Sequence, residues 1–75
     1  KAVNKDKLKE LDLKEKELQF VKLSCSEMTY KEIASVMSLS PKTIDGYRDM
    51  LFEKLEVKSR VGLVIYAIRH GLYEI

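Results

Sequence analysis

In the segment TYKEIASVMSLSPKT, residues 29–43, two helix-start signals stand so close together that neither a strand nor a long loop fits between them. The first is TYKE, a capping box: the Thr29 hydroxyl accepts from the amide of Glu32, and the Glu32 carboxylate reaches back to the amide of Thr29. It predicts a helix from Tyr30 to near Ser38, with Ile33, Ala34 and Met37 facing inward. Only Leu39 then precedes Ser40, a good N-cap, and Pro41, which suits the first helical position because it has no amide to leave unsatisfied. The helix that starts there should run to about Leu55, placing Ile44, Tyr47, Leu51 and Leu55 on one side. Two helices joined so tightly must cross steeply, as in a helix-turn-helix arrangement.

The flanking sequence supplies two more helices. Leu13 to Ser24 carries an apolar stripe of Leu18 and Val21, with Phe20 and Leu23 as further candidates, while Lys14, Glu15, Lys16 and Glu17 are expected in solvent. Ser59 opens a helix from Arg60 to His70, and Gly71 is placed to stop it in a left-handed cap. This last helix is apolar almost all round. If Leu63, Val64 and Ala67 face inward, Val61, Ile65 and Ile68 point outward at i, i+4 and i+7. A second copy of the chain could cover that strip; a missing N-terminal region could cover it instead, or it is simply exposed apolar surface. Residues 1–10 are charge-rich and read as a linker or frayed lead-in helix. Gly is scarce, Pro41 is the only proline, and no Asn-Gly or Asp-Gly pair has alternating flanks, so strands lack support. The expected fold is all-α, a compact four-helix bundle over residues 11–75.

Seventy-five residues make one domain, and at that size folding buries only about 60% of the surface of the open chain. One cysteine, Cys25, suits a reducing compartment and a small apolar role, with no partner for a disulfide or zinc site. No window reaches the roughly 18 apolar residues of a membrane span, and the charged N-terminus lacks a signal-peptide core, so a cytoplasmic chain is expected. The net charge is +2, from 14 basic and 12 acidic residues. Composition therefore does not announce a polyanion partner, and any nucleic-acid contact must come from placement. An enzyme is disfavoured: His70 is the only histidine, no nucleophile neighbours it in sequence, and no Gly-rich phosphate loop occurs. At the end of its helix, His70 suits the helix dipole. No cofactor and no metal are expected.

LDLKEKEL, YKEIA, SPKTIDGY, FEKLEVKSR and YAIRHGL, taken together over Leu11 to Leu72, resemble the LuxR-type, or GerE-like, helix-turn-helix domain that forms the C-terminal half of NarL/FixJ-type bacterial response regulators. The resemblance implies a four-helix fold whose third helix enters the DNA major groove and whose fourth mediates dimerisation, making Val61, Ile65, Ile68 and Arg69 a dimer interface. It also implies an N-terminal receiver domain in the full-length protein. Lys31, Ser40 and Thr43 match positions that touch phosphates or start the helix pair; Asp45, Gly46 and Asp49 match exposed reading positions. Tyr47 stands where the family commonly has His, and Lys54 and Leu55 match its closing Lys-Leu pair. Two departures stand out: SCSEMT lengthens the connection between the first two helices, and Asp45 replaces a frequent Lys.

Residues 41–55 carry Lys42, Arg48 and Lys54 against Asp45, Asp49 and Glu53, so this segment is formally neutral. A carboxylate on it can accept from the N4 amino group of cytosine in the major groove. Asp45 either reads cytosine in that way or, at i+3, holds Arg48 for a guanine or phosphate contact; the plain alternative is a surface ion pair of little energetic weight. Gly46 costs about 1 kcal/mol relative to Ala inside a helix, which points to close approach by a base edge or backbone. Phosphate contacts are expected from Lys31, Lys42, Thr43, Lys58 and the first amides of that helix. The expected function is sequence-specific binding of double-stranded DNA by a homodimer with two-component-type control. Its rivals are a protein-interaction module that kept the fold, and a sigma-factor-like promoter-recognition region.

Overall fold

The computed structural model describes residues 5–74; the first four residues of the expected linker or lead-in segment and the last residue of the expected domain lie outside them. Five α-helices are described: α1 Lys5–Glu10, α2 Glu15–Ser24, α3 Tyr30–Val36, α4 Pro41–Lys54 and α5 Arg60–Arg69. No strand occurs among the described residues. The four expected helices are α2 to α5. α1 is additional to them and falls in the stretch read as a linker or frayed lead-in helix; its Leu8 is part of the core.

The expected start signals are in place. Thr29 and Glu32 exchange hydrogen bonds of 2.8 and 3.2 Å at the head of α3. The Ser40 hydroxyl accepts from the Thr43 amide at 3.1 Å, with Pro41 in the first turn of α4, and the Ser59 hydroxyl accepts from the Gly62 amide at 3.0 Å. α2 begins two residues later than expected. There Glu17 accepts from the Lys14 amide at 3.1 Å, and Lys14, having no acceptor on its side chain, cannot complete a capping box.

Helix ends follow one pattern. After α1, α3, α4 and α5 a single residue takes a left-handed conformation: Asp12, Ser38 and Glu56 at φ 57°, Gly71 at φ 71°. The amide of the next residue then returns to a carbonyl five positions back: Leu13 to Leu8, Leu39 to Ala34, Val57 to Phe52, and Leu72 to Ala67, at 2.8 to 2.9 Å. These are Schellman closures, and each returning residue is apolar. Leu13 and Leu72 are themselves buried. Four residues, 37–40, therefore suffice to turn α3 into α4.

α3 packs on α4 and α5 on α2, with α2 touching α3 and α4 as well. Between them lie Phe20, Val21, Ile33, Ile44, Leu51, Leu63 and Ala67, all without solvent exposure. Phe20 is thus central rather than marginal to the α2 stripe, while Leu18 is half-buried. Two expectations need correction. Glu17, expected in solvent, is 7% exposed, because it faces the end of α4 and pairs there with Lys54. Val64 is half-buried, the inward side of α5 being held by Leu63 and Ala67.

Candidate nucleic-acid interface

The turn between α3 and α4 fixes the start of α4 through the hydroxyls of Ser40 and Thr43, whose oxygens stand 2.9 Å apart. From that start, helical spacing puts Lys42, Asp45, Gly46 and Asp49 along one face, and all four are exposed. The opposite face enters the core through Ile44 and Leu51, with Tyr47 packed against it. Tyr47 meets Phe20 at 6.2 Å between ring centres in a tilted arrangement. Lys31 in the first turn of α3 and Lys58 before α5 are also exposed.

Arg48 sits at the edge of the face, half-buried. Its Nε donates to Asp49 at 3.0 Å and one terminal nitrogen to Asp45 at 3.4 Å. The hydrogen bond to Asp49 leads in pushing the Arg48 pKa up; the charges of Asp49 and Asp45 add to it and partial burial opposes it, so the side chain stays charged. Asp45 is thus paired with Arg48 at the i+3 spacing, a geometry common to the holding role and to a plain surface ion pair, and Asp49 lies closer to Arg48. Gly46 lies in open space: a Cβ there would meet no atom within 4 Å.

Nothing in the sequence marks the support beneath Arg48. Its guanidinium carbon lies 5.6 Å from the centre of the Tyr30 ring, and that of Arg60 lies 5.0 Å from the same ring. Tyr30, the first residue of α3, stacks on Phe20 at 6.0 Å. Burial raises the Tyr30 pKa, partly offset by the two arginines. Arg60 in turn donates to the carbonyls of Ser24 and Ser26, each at 3.0 Å. These partners are too far apart in sequence for any local pattern to join them.

Lys54 is committed inside the protein, with Nζ donating to the Asp12 carbonyl at 2.7 Å and to Glu17 at 3.1 Å. The apolar strip on α5 is exposed as expected: Val61 69%, Ile65 48% and Ile68 38%, with exposed Arg69 beside it. His70 caps α5 and stacks on Tyr66 at 4.1 Å. Cys25 is a half-buried thiol whose pKa is raised by burial, against a smaller lowering by Arg60. Among the described residues no group of three or more His, Cys, Asp or Glu side chains could hold a metal. No described helix is long and apolar enough to cross a membrane.

The sequence profile of bacterial regulatory proteins, luxR family, matches residues 12–67. The chain is 42% identical over 60 residues to the response regulator UvrY of Escherichia coli (strain K12), covering 80% of this chain and 28% of that protein. It is 37% identical over 62 residues to the response regulator GacA of Pseudomonas aeruginosa, covering 83% of this chain and 29% of that protein. It thus spans under a third of the length of these curated relatives. No solved structure matches it significantly.

Proposed function

We propose, since this chain belongs to the luxR family of bacterial regulatory proteins, that it is the DNA-reading part of a transcriptional regulator and lays α4 in the major groove of a double-stranded operator. The observation that carries this reading is the exposed row of Lys42, Asp45, Gly46 and Asp49 on a helix whose start is fixed by Ser40 and Thr43. α4 has 14 residues, a rod about 21 Å long, and a groove about 12 Å wide admits one helix. Lys31, Lys42, Thr43 and Lys58 contact phosphates and set register; Asp45, Gly46 and Asp49 face base edges, and Arg48 contacts a guanine or a phosphate. Val61, Ile65, Ile68 and Arg69 form the contact with a second copy. Two reading helices so joined meet half-sites about 34 Å apart or otherwise related by the dimer axis. The response-regulator relatives support a receiver domain N-terminal to this segment in the whole protein, and cytoplasmic action.

Selection of bound duplexes from a randomised pool tests this directly, giving motif, symmetry and spacing together. Asp45→Lys protein taken through the same selection should return a changed base preference; an unchanged motif would remove Asp45 from readout. One observation favours the rival reading of a protein-interaction module: Arg48 and Lys54, two of the three cations in residues 41–55, are engaged by the protein's own acceptors. Salt decides between them. A duplex binder loses affinity with a log-log slope of about 0.9 per phosphate contact, whereas the module has no duplex affinity to lose.

A further inference from the structure

The geometry points to Tyr30, which lies outside the reading helix, as the positioning residue for Arg48, setting where its guanidinium stands when α4 meets DNA. This rests on the reading of Arg48 as a DNA contact. Arg48 has five N–H donors in a fixed plane. Asp49 and Asp45 engage Nε and one terminal nitrogen from α4 itself. Both carboxylates are exposed, with side chains 71% and 56% accessible, and such surface pairs by themselves hold a long side chain weakly.

The Tyr30 ring adds a support from a different helix. Its centre lies 5.6 Å from the Arg48 guanidinium carbon, within the roughly 6 Å over which an aromatic face attracts a cation. The ring is itself fixed, stacked on the fully buried Phe20 with 8° between planes. Arg60, whose carbonyl partners at the end of α2 hold it in place, lies over the same ring. Arg48 thus bears on the core through Tyr30 and Phe20, while the second terminal nitrogen of its fork bonds to nothing among the described residues and is available to an acceptor. A preorganised arginine loses less rotamer freedom on meeting its target.

The test is a set of affinity measurements on the duplex selected by the native protein, each variant first shown by thermal melting to be folded at the assay temperature. Tyr30→Leu should weaken binding about two- to fivefold, the range for a partly exposed cation–ring contact, and Tyr30→Phe, which keeps the ring, should bind as the native protein does. The decisive comparison is in an Arg48→Ala background, where Tyr30→Leu should have no further effect. Equal weakening by Tyr30→Leu with and without Arg48, or equal damage from Tyr30→Phe and Tyr30→Leu, would overturn the positioning role while leaving α4 as the reading helix. Arg48→Ala protein that binds as tightly as the native would instead remove the premise that Arg48 touches DNA, and the inference with it.

Discussion

Because a Cβ on Gly46 would have open space around it, nothing inside the protein requires glycine at that point of α4. Gly46→Ala should raise stability by about 1 kcal/mol, or roughly 4–8 °C in melting temperature, read by thermal denaturation. The same variant should bind its operator less tightly; a stabilised protein with undiminished affinity would show that the glycine does not serve DNA approach. Lys54 runs the other way. Lys54→Ala leaves the Glu17 carboxylate buried with no cation, and should cost about 3 kcal/mol, measurable by urea unfolding. Cys25, half-buried and with its pKa raised, holds little thiolate at neutral pH, so a thiol reagent should alkylate it more slowly than a free cysteine. The exposed face of α4 was legible in the sequence because helical spacing alone separates Lys42, Asp45, Gly46 and Asp49 from Ile44, Tyr47 and Leu51. Glu17 was not legible: its charge reads as a solvent residue, and its partner lies 37 positions away.

Helix starts were easier to read than helix ends, and the reason is chemical. Thr29, Ser40 and Ser59 bond to amides three residues on, so the signal is local and carried by residue type. Of the left-handed ends, only Gly71 was visible, since glycine adopts positive φ without steric penalty. Asp12, Ser38 and Glu56 adopt it because the residue that follows, Leu13, Leu39 or Val57, is apolar and returns toward the core. Apolar spacing past the end of the helix was the signal available there. Side chains at positive φ are held against a steric cost, so Glu56→Gly should stabilise the protein by about 1 kcal/mol, shifting the denaturant midpoint upward at unchanged slope. A decrease would mean that Glu56 makes up its strain through contacts of its own. At the head of α4, Ser40→Ala should cost about 1 kcal/mol through loss of the cap.

For the whole molecule, the exposed strip on α5 separates association from folding. Ile65 is 48% exposed, so Ile65→Asp should leave the monomer's stability within about 0.5 kcal/mol. If α5 joins two copies, sedimentation of the variant on and off DNA should show the pairing lost. The arrangement of α2 to α5 was legible because short connections and amphipathic spacing leave few alternatives. The ties across the bundle, Lys54 to the α1–α2 junction and Arg60 to the end of α2, were not, since each joins residues more than 30 positions apart. The second of these has a kinetic consequence. Four helices finish with a bond between their own last turn and the third residue beyond it, whereas the last carbonyl of α2, that of Ser24, is met by Arg60, 36 residues later. A clasp of that span should form late on the route from the unfolded chain, after the local turns. Stopped-flow measurements on Arg60→Ala should therefore find the refolding rate nearly unchanged and the unfolding rate increased.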